Sequence, residues 1–317
     1  MPSDKELLAE IASMYYEQDL IQSEIARQVG LSRPKVSRLL KEARDLGVVK
    51  ILIDYPWNTD AELEAQLLSR YSLKAVRVLV SKDRPYEQML QGLGALAARY
   101  VETILKPDDI LGMSWGTALY QTARAMHPEQ KKDIKVVQMI GAVGTSDPLI
   151  DGPDLARFLA DLYGGEYRYL HAPLVVKDPA VRDALLQEDH VRETLELART
   201  ANIALVGIGT MIPESSSLVR AGYLDAETAS RMEQSGVVGD ICARQYDING
   251  QILDSDLNRR IIGIELEALH HINQVIGVAG GEAKAKTILG ALRGNHVNVL
   301  ITDDRAARKV LAMDSVN

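Results

Sequence analysis

The apolar positions of this chain follow a helical period at its start and a mixed one afterwards. Over residues 4–18, Leu7, Leu8, Ile11, Met14 and Tyr15 recur at three- and four-residue steps, which predicts an amphipathic helix. A short second helix is predicted for Ser23–Val29, packing through Ile25, Ala26 and Val29. Gly30 sits where that helix must stop, because glycine enters the left-handed region without steric cost. Ser32 reads as the N-cap of a third helix with Pro34 in its first turn. Val36, Leu39, Leu40 and Ala43 make its buried stripe, and Arg33, Lys35, Ser37, Arg38 and Lys41 face outward. VVKILIDYP then alternates as a short strand before Pro56, in the position of a wing.

Beyond residues 56–60, which have the composition of a hinge, ELEAQLLSRY reads as an amphipathic connector. Apolar runs and helical patterns then alternate. Runs at 75–80, 109–114, 135–141, 167–176 and 202–209 precede helical patterns at 86–104, 116–126, 152–163, 179–199 and 225–234. Runs at 274–281 and 297–303 precede helices at 282–293 and 304–312. Strand–helix alternation predicts a parallel sheet covered on both faces. The expected fold class is therefore α/β: an N-terminal helical helix-turn-helix domain (1–56), then a doubly wound, mostly parallel α/β domain (57–317).

Composition sharpens this picture at three points. No run reaches the roughly 18 apolar residues of a membrane span. MPSDKELLAE lacks the basic-then-apolar design of a signal peptide, so a cytoplasmic protein is expected. The one cysteine, Cys242, forms no internal disulfide and excludes a Cys-rich zinc site. The six histidines show no metal spacing, and no cofactor or metal is expected.

Charge is distributed unevenly. The whole chain carries −8, yet Arg27, Arg33, Lys35, Arg38, Lys41, Arg44 and Lys50 face only Glu42 and Asp45 between residues 27 and 50. DNA senses the field within a Debye length of about 10 Å, not the total. Apolar anchors, turn glycine, cap and basic face together describe a helix-turn-helix, whose second helix enters the major groove. Arg33, Ser37 and Arg38 are expected nearest the base edges, Lys35 and Lys41 nearer phosphate. The plain alternative is a solvated helical hairpin with a basic face.

In open parallel sheets ligands bind beyond the carboxyl ends of the strands. GMSWGTAL places Ser114, Gly116 and Thr117 between a strand and a helix start, where N–H groups and hydroxyls hold an anion. GIGT (207–210) is a weaker loop of the same kind. GVVGDI offers Asp240 to sugar hydroxyls, and GVAGGEAKAK offers Lys284 to a phosphate or a carbonyl. The plain readings are tight turns, an ordinary N-cap for Asp240, and a solvated Lys284.

Four motifs in this order resemble the SorC/DeoR-type sugar-binding transcriptional regulators of bacteria over nearly the whole chain. They are IASMYYEQDLIQSEIARQVGLSRPKVSRLLKEARDLGVVKI, GMSWGTAL, GVVGDICARQYDINGQI and VIGVAGGEAKAKTILGALRGNHVNVLITDDRAA. The resemblance implies a DNA-binding domain and an effector and oligomerisation domain akin to sugar-phosphate isomerases and deaminases. It implies a homodimer or homotetramer on pseudo-palindromic operator DNA, controlled by a small sugar or sugar-phosphate effector, with no membrane and no catalysis. The phosphate-loop role falls on Ser114, Gly116 and Thr117, the acidic sugar contact on Asp240, and the basic residue of GGxxK on Lys284. One position departs from the family: S-W-G-x-T has become S-W-G-T-A, so the hydroxyl passes from position 118 to Thr117.

Two other readings compete. A catalytic isomerase or deaminase would use Asp240 as base and Lys284 as the cation at the carbonyl. A nicotinamide-binding protein would use GVAGG with Asp303 on the ribose, but the fingerprint needs G-x-G-x-x-G, and G-x-x-G-G stands here.

Overall fold

The computed structural model describes residues 5–49, 55–144 and 152–315. The chain divides into two compact units, Met1–Pro56 and Trp57–Asn317.

The first unit holds α1 (Lys5–Tyr16), α2 (Gln22–Gln28) and α3 (Arg33–Asp45). Leu8, Ile11 and Ala12, Ile25 and Ala26, and Val36, Leu39, Leu40 and Ala43 bury one shared core. After α2, Gly30 takes φ +69°, and the Leu31 N–H closes on Ala26 O at 2.9 Å. Ser32 has extended N-cap geometry, but its hydroxyl makes no capping bond. Its carbonyl instead accepts the N–H groups of Lys35 and Val36. Most of the candidate wing strand, residues 50–54, lies outside the described residues; Val48 and Val49 before it pack on the three-helix core.

The second unit begins with α4 (Ala61–Arg70), capped by Asp60, which accepts the Leu63 N–H at 3.1 Å. Leu63 and Leu67 are buried in this unit's core, so the supposed connector is an integral helix. There follow β1 (Ala75–Leu79), α5 (Tyr86–Ile104), β2 (Ile110–Met113), α6 (Thr117–Ala125), β3 (Lys135–Gln138), α7 (Gly152–Tyr163) and β4 (Glu166–Arg168). Next come α8 (Pro179–Gln187), α9 (Asp189–Arg199), β5 (Ile203–Thr210), α10 (Ser217–Arg220), α11 (Ala226–Gln234), β6 (Gly239–Ile241) and β7 (Arg244–Tyr246). The chain closes with α12 (Leu266–Leu269), β8 (Gln274–Val278), α13 (Ala285–Arg293), β9 (Val299–Asp303) and α14 (Asp304–Asp314).

Among the described residues, seven strands run parallel in the order β1-β9-β8-β5-β2-β3-β4. Every residue of β9 is buried, as expected for a strand covered on both faces. Alternate residues feed two cores: Ala204, Val206 and Ile208 one, Ile203 and Leu205 the other. Order reverses between β2 and β5. From β2 the chain proceeds outward to β3 and β4, and from β5 it proceeds the other way to β8 and β9.

Three local readings change. The run at 167–176 pairs as a strand only over Glu166–Arg168, and bridges at Pro173 and Val175 hold the rest. The helix expected over 179–199 breaks at Glu188, whose ψ of 131° is extended. GVVGDI is not the end of a parallel strand: β6 and β7 form an antiparallel hairpin on β5. No described helix is long and apolar enough to cross a membrane.

The buried stripe and the exposed face of α3 predict opposite sensitivities. Leu39→Ala should destabilise the first unit by ~2–4 kcal/mol through lost burial and a cavity. Arg38→Ala should change stability by no more than ~0.5 kcal/mol. Chemical denaturation of both variants checks this.

Candidate functional site

On α3 the stripe Val36, Leu39, Leu40 and Ala43 turns inward. Arg33, Ser37 and Lys41, at steps of four, therefore share the outer face, with Arg38 beside them. All four are exposed and Lys35 is half-buried. Arg27 and Arg44 are exposed on the same unit. None of these cations forms an ion pair among the described residues. These exposed cations stand on a helix whose far side is fixed by packing.

The second site lies at the reversal point of the sheet, where ligands of open α/β folds bind. The loops after β2, β5 and β8 meet there, joined by the β6–β7 hairpin. Ser114, Gly116, Thr117, Asp240 and Lys284 all line this one pocket. Ser114 is buried, and its N–H donates to Leu205 O at 3.1 Å. Gly116 is the N-cap of α6 at φ +119°, a conformation that only glycine adopts without strain. No side chain caps α6, so its first-turn N–H groups are left for a ligand or water. Thr117, half-buried, is the first residue of that helix.

Asp240 stands on β6 opposite Gly209 of β5. A side chain at 209 would run into its carboxylate, and one at Gly239 would strike Thr287 and the Gly209 carbonyl. The two glycines are what let the hairpin close on β5. The residue is 4% exposed, and its Oδ1 has no hydrogen-bond partner. Lys284, at the end of a 3₁₀ turn (Glu282–Lys284), donates Nζ to Ile208 O at 2.6 Å. Neither residue has the plain role open to it in the sequence: Asp240 caps no helix, and Lys284 is half-buried.

Burial pushes the Asp240 carboxyl up to about 6, against the opposing pull of Lys284. Burial brings the Lys284 ammonium down to about 8; Asp240 resists this, and Arg220 adds to it. The Cys242 thiol is held up at about 12 by burial, which leaves it protonated and unreactive near neutrality. It forms the hairpin turn with Ala243, at φ 52° and 64°.

Sequence reasoning missed several lining residues: Tyr86, Ser215, Ser217, Arg220 and Cys242. The signal was present in part, because Ser215–Arg220 follows the carboxyl end of a strand. Asp303, the acid of the nicotinamide reading, accepts the Gly281 N–H at 2.7 Å and caps α14 through Ala306. Its carboxylate is committed within the fold.

Comparison with known proteins agrees with this geometry. A family model described as "Putative sugar-binding domain" matches residues 55–312, and a "Winged helix-turn-helix DNA-binding" model matches residues 2–50. The chain is 36% identical over 307 residues to the deoxyribonucleoside regulator of Bacillus subtilis (strain 168), covering 97% of each. It is 33% identical over 319 residues to the sorbitol operon regulator of Klebsiella pneumoniae, covering 97% of this chain and 98% of that one. The full-length crystal structure of that regulator, SorC, superposes with a TM-score of 0.75 over 98% of this chain and 99% of its own.

The two shifted groups predict a pH profile with two slopes. An unfolded Asp titrates near ~3.9, so between pH ~4 and 6 the folded state holds the extra proton, and stability falls as pH rises. An unfolded Lys titrates near ~10.4, so above pH ~8 the folded state has released the proton first, and stability rises with pH. Asp240→Asn should flatten the acid slope and, by removing the charge that holds Lys284 up, move the onset of the alkaline one to lower pH. Denaturation midpoints from pH 4 to 10 measure both, and an unchanged acid slope would refute the burial of that charge.

Proposed function

The chain belongs to the SorC/DeoR-type sugar-binding transcriptional regulators, and we propose that its α3 face reads operator DNA while the reversal-point pocket binds the controlling carbohydrate. The observation that carries this reading is the convergence of Ser114, Gly116, Thr117, Asp240 and Lys284 on one pocket. A polyol fits that set: the Asp240 carboxylate accepts hydroxyls, and the Lys284 ammonium meets an anion or carbonyl oxygen. The first-turn N–H groups of α6 favour negative charge, which suits a phosphate ester.

Residues 1–56 are the DNA-binding part and residues 57–317 the effector and oligomerisation part. A single helix-turn-helix has too small a footprint for genomic specificity, so a homodimer or homotetramer binds a pseudo-palindrome. Such a regulator works in the cytoplasm, where its operator lies. Regulation is favoured over retained catalysis because the winged helix-turn-helix match at residues 2–50 joins the pocket to a DNA reader.

Two experiments test these halves. Arg38→Ala should cost ~1–3 kcal/mol of operator binding and relax base preference, whereas Lys41→Ala should weaken all sequences alike and reduce the salt slope by ~1. Unchanged operator affinity in both variants would sink the α3 assignment. Lys284→Ala should abolish the response to effector while operator binding without effector persists. A normal response in that variant would remove the pocket from the regulatory path.

A further inference from the structure

The segment with the composition of a hinge is tied down at its far end. Asn58 O accepts the Val80 N–H at 2.9 Å, and the Asp60 N–H donates to Val78 O at 2.8 Å. Thr59 bridges Leu79 antiparallel, so residues 58–60 lie along β1 at the margin of the sheet. Trp57, the first residue of the second unit, is half-buried and packs against the core that α5 helps to form. Its ring fills the space left by Gly92, where a Cβ would stand 2.8 Å from Trp57 Cε3. The Arg84 guanidinium covers the ring at 5.2 Å from its centroid, and Nη1 holds it in place on Val80 O at 3.0 Å.

The helix that seats Trp57 also walls the effector pocket. Tyr86 and Leu90, in the first two turns of α5, line that pocket, and Arg84 stands two residues ahead of Tyr86. Met89 and Leu93 lie close against Gly280, in the loop that leads to Lys284. Further along, Gly94 admits the Gln121 backbone of α6. One helix therefore touches the ligand space at its start and Trp57 at Gly92. Packed helices shift as bodies, typically by about 1–2 Å, rather than bending residue by residue.

Resting on the effector reading above, we propose that Trp57 is the residue through which occupancy of the pocket acts on the DNA-reading unit. A ligand that draws in Tyr86 and Leu90 displaces α5 against β1. Residues 58–60 stay with β1, while the Trp57 ring follows Gly92. The backbone of Trp57 takes up the difference, and with it the direction in which the chain leaves toward residue 56. Pro56 passes that change on, because its ring fixes φ and holds Tyr55 extended. Trp57 does not line the pocket, so it acts as a positioning residue and not as a ligand contact.

The test uses the full chain and a labelled duplex selected by that chain from a randomised pool. The probes are two sugar pairs: D-ribose with D-ribose 5-phosphate, and D-glucitol with D-glucitol 6-phosphate. Fluorescence anisotropy gives the duplex affinity with and without excess probe, and the ratio of the two is the coupling factor. Calorimetric titration gives the affinity for the probe itself. In Trp57→Ala the coupling factor should fall to within about 2-fold of unity, from a parent value in the usual range of roughly 5- to 150-fold. Probe affinity and probe-free duplex affinity should both stay within about 3-fold of the parent's. Trp57→Phe, which keeps a ring on Gly92, should retain most of the coupling, and Arg84→Gln, which uncovers the ring, should fall between Trp57→Ala and the parent. A parent-like coupling factor in Trp57→Ala overturns the assignment. Loss of probe binding or of probe-free duplex binding in that variant also overturns it, because Trp57 would then belong to one of the two sites. Should Trp57→Ala fail to fold, an unchanged factor in Arg84→Gln overturns it instead. All of these outcomes leave the effector reading standing. If none of the four probes changes the parent's duplex affinity, both readings fall.

Discussion

A lysine ammonium anchored on a strand carbonyl organises the second unit's site. Lys284 Nζ meets Ile208 O at 2.6 Å, and Thr287, one turn later, donates its hydroxyl to Gly209 O at 2.6 Å. Residues three apart on a helix lie on one face, so the start of α13 is bonded to two successive carbonyls at the end of β5. Tyr246 of β7 then bonds Thr287 at 2.9 Å, tying the hairpin to the same helix. A buried charge costs several kcal/mol unless nearby groups compensate it. Here the compensation is a carbonyl and a carboxylate that only this arrangement of β5, β6 and α13 brings within range. Gly209 and Gly239 serve the same constraint by keeping side chains out of the β5–β6 approach.

The compensation is incomplete in a directed way. Oδ1 of Asp240 is one of a few described buried side-chain atoms without a partner, and the one carboxylate oxygen among them. Leaving such an acceptor unsatisfied costs ~1–3 kcal/mol. The adjacent turn adds to this, since Cys242 and Ala243 both occupy the left-handed region, where two-residue hairpins ordinarily carry Asn or Gly. Each costs roughly 1–2 kcal/mol there. Strain and an orphan acceptor thus meet at the pocket wall, as expected where surrounding structure holds residues ready for a ligand. A hydroxyl donated to Asp240 would recover part of what folding left unsatisfied.

The two periods of the chain made the architecture legible. Helical spacing in residues 4–45 and strand–helix alternation afterwards are statements about burial, and burial decided both cores. The helix over Tyr86–Ile104 was readable to the residue because nine of its positions are buried on a clean stripe. The hairpin was not readable: Gly239–Ile241 is too short for periodicity, and its pairing depends on two glycines, Gly209 and Gly239, that lie on different strands with two helices between them. The site was legible as motifs but not as a set. Ser114, Gly116, Thr117, Asp240 and Lys284 announce themselves by glycine and strand context, whereas their meeting requires the sheet order. Arg220 carries no local signal, since an arginine in a serine-rich loop looks like solvated surface until the fold turns it to a pocket.

The energetics of control bear on assembly. A ligand shifts an equilibrium only by its differential affinity for the two states. Changing operator occupancy substantially requires a preference of ~3–5 kcal/mol summed over the species that binds DNA. The contacts that one effector molecule can make differently in two states are few. A hydrogen bond to a charged group contributes ~1.5–3 kcal/mol in total, and only part of that discriminates between states. One pocket on one chain therefore sits at or below what regulation needs, whereas two or four equivalent pockets in a concerted assembly reach it comfortably. The uneven charge points the same way. A small basic face attached to a chain of net −8 gives local attraction to phosphate with long-range restraint, so tight binding needs more than one such face on the operator. Energetic and electrostatic arguments thus both favour the proposed oligomer over a single chain as the regulated species.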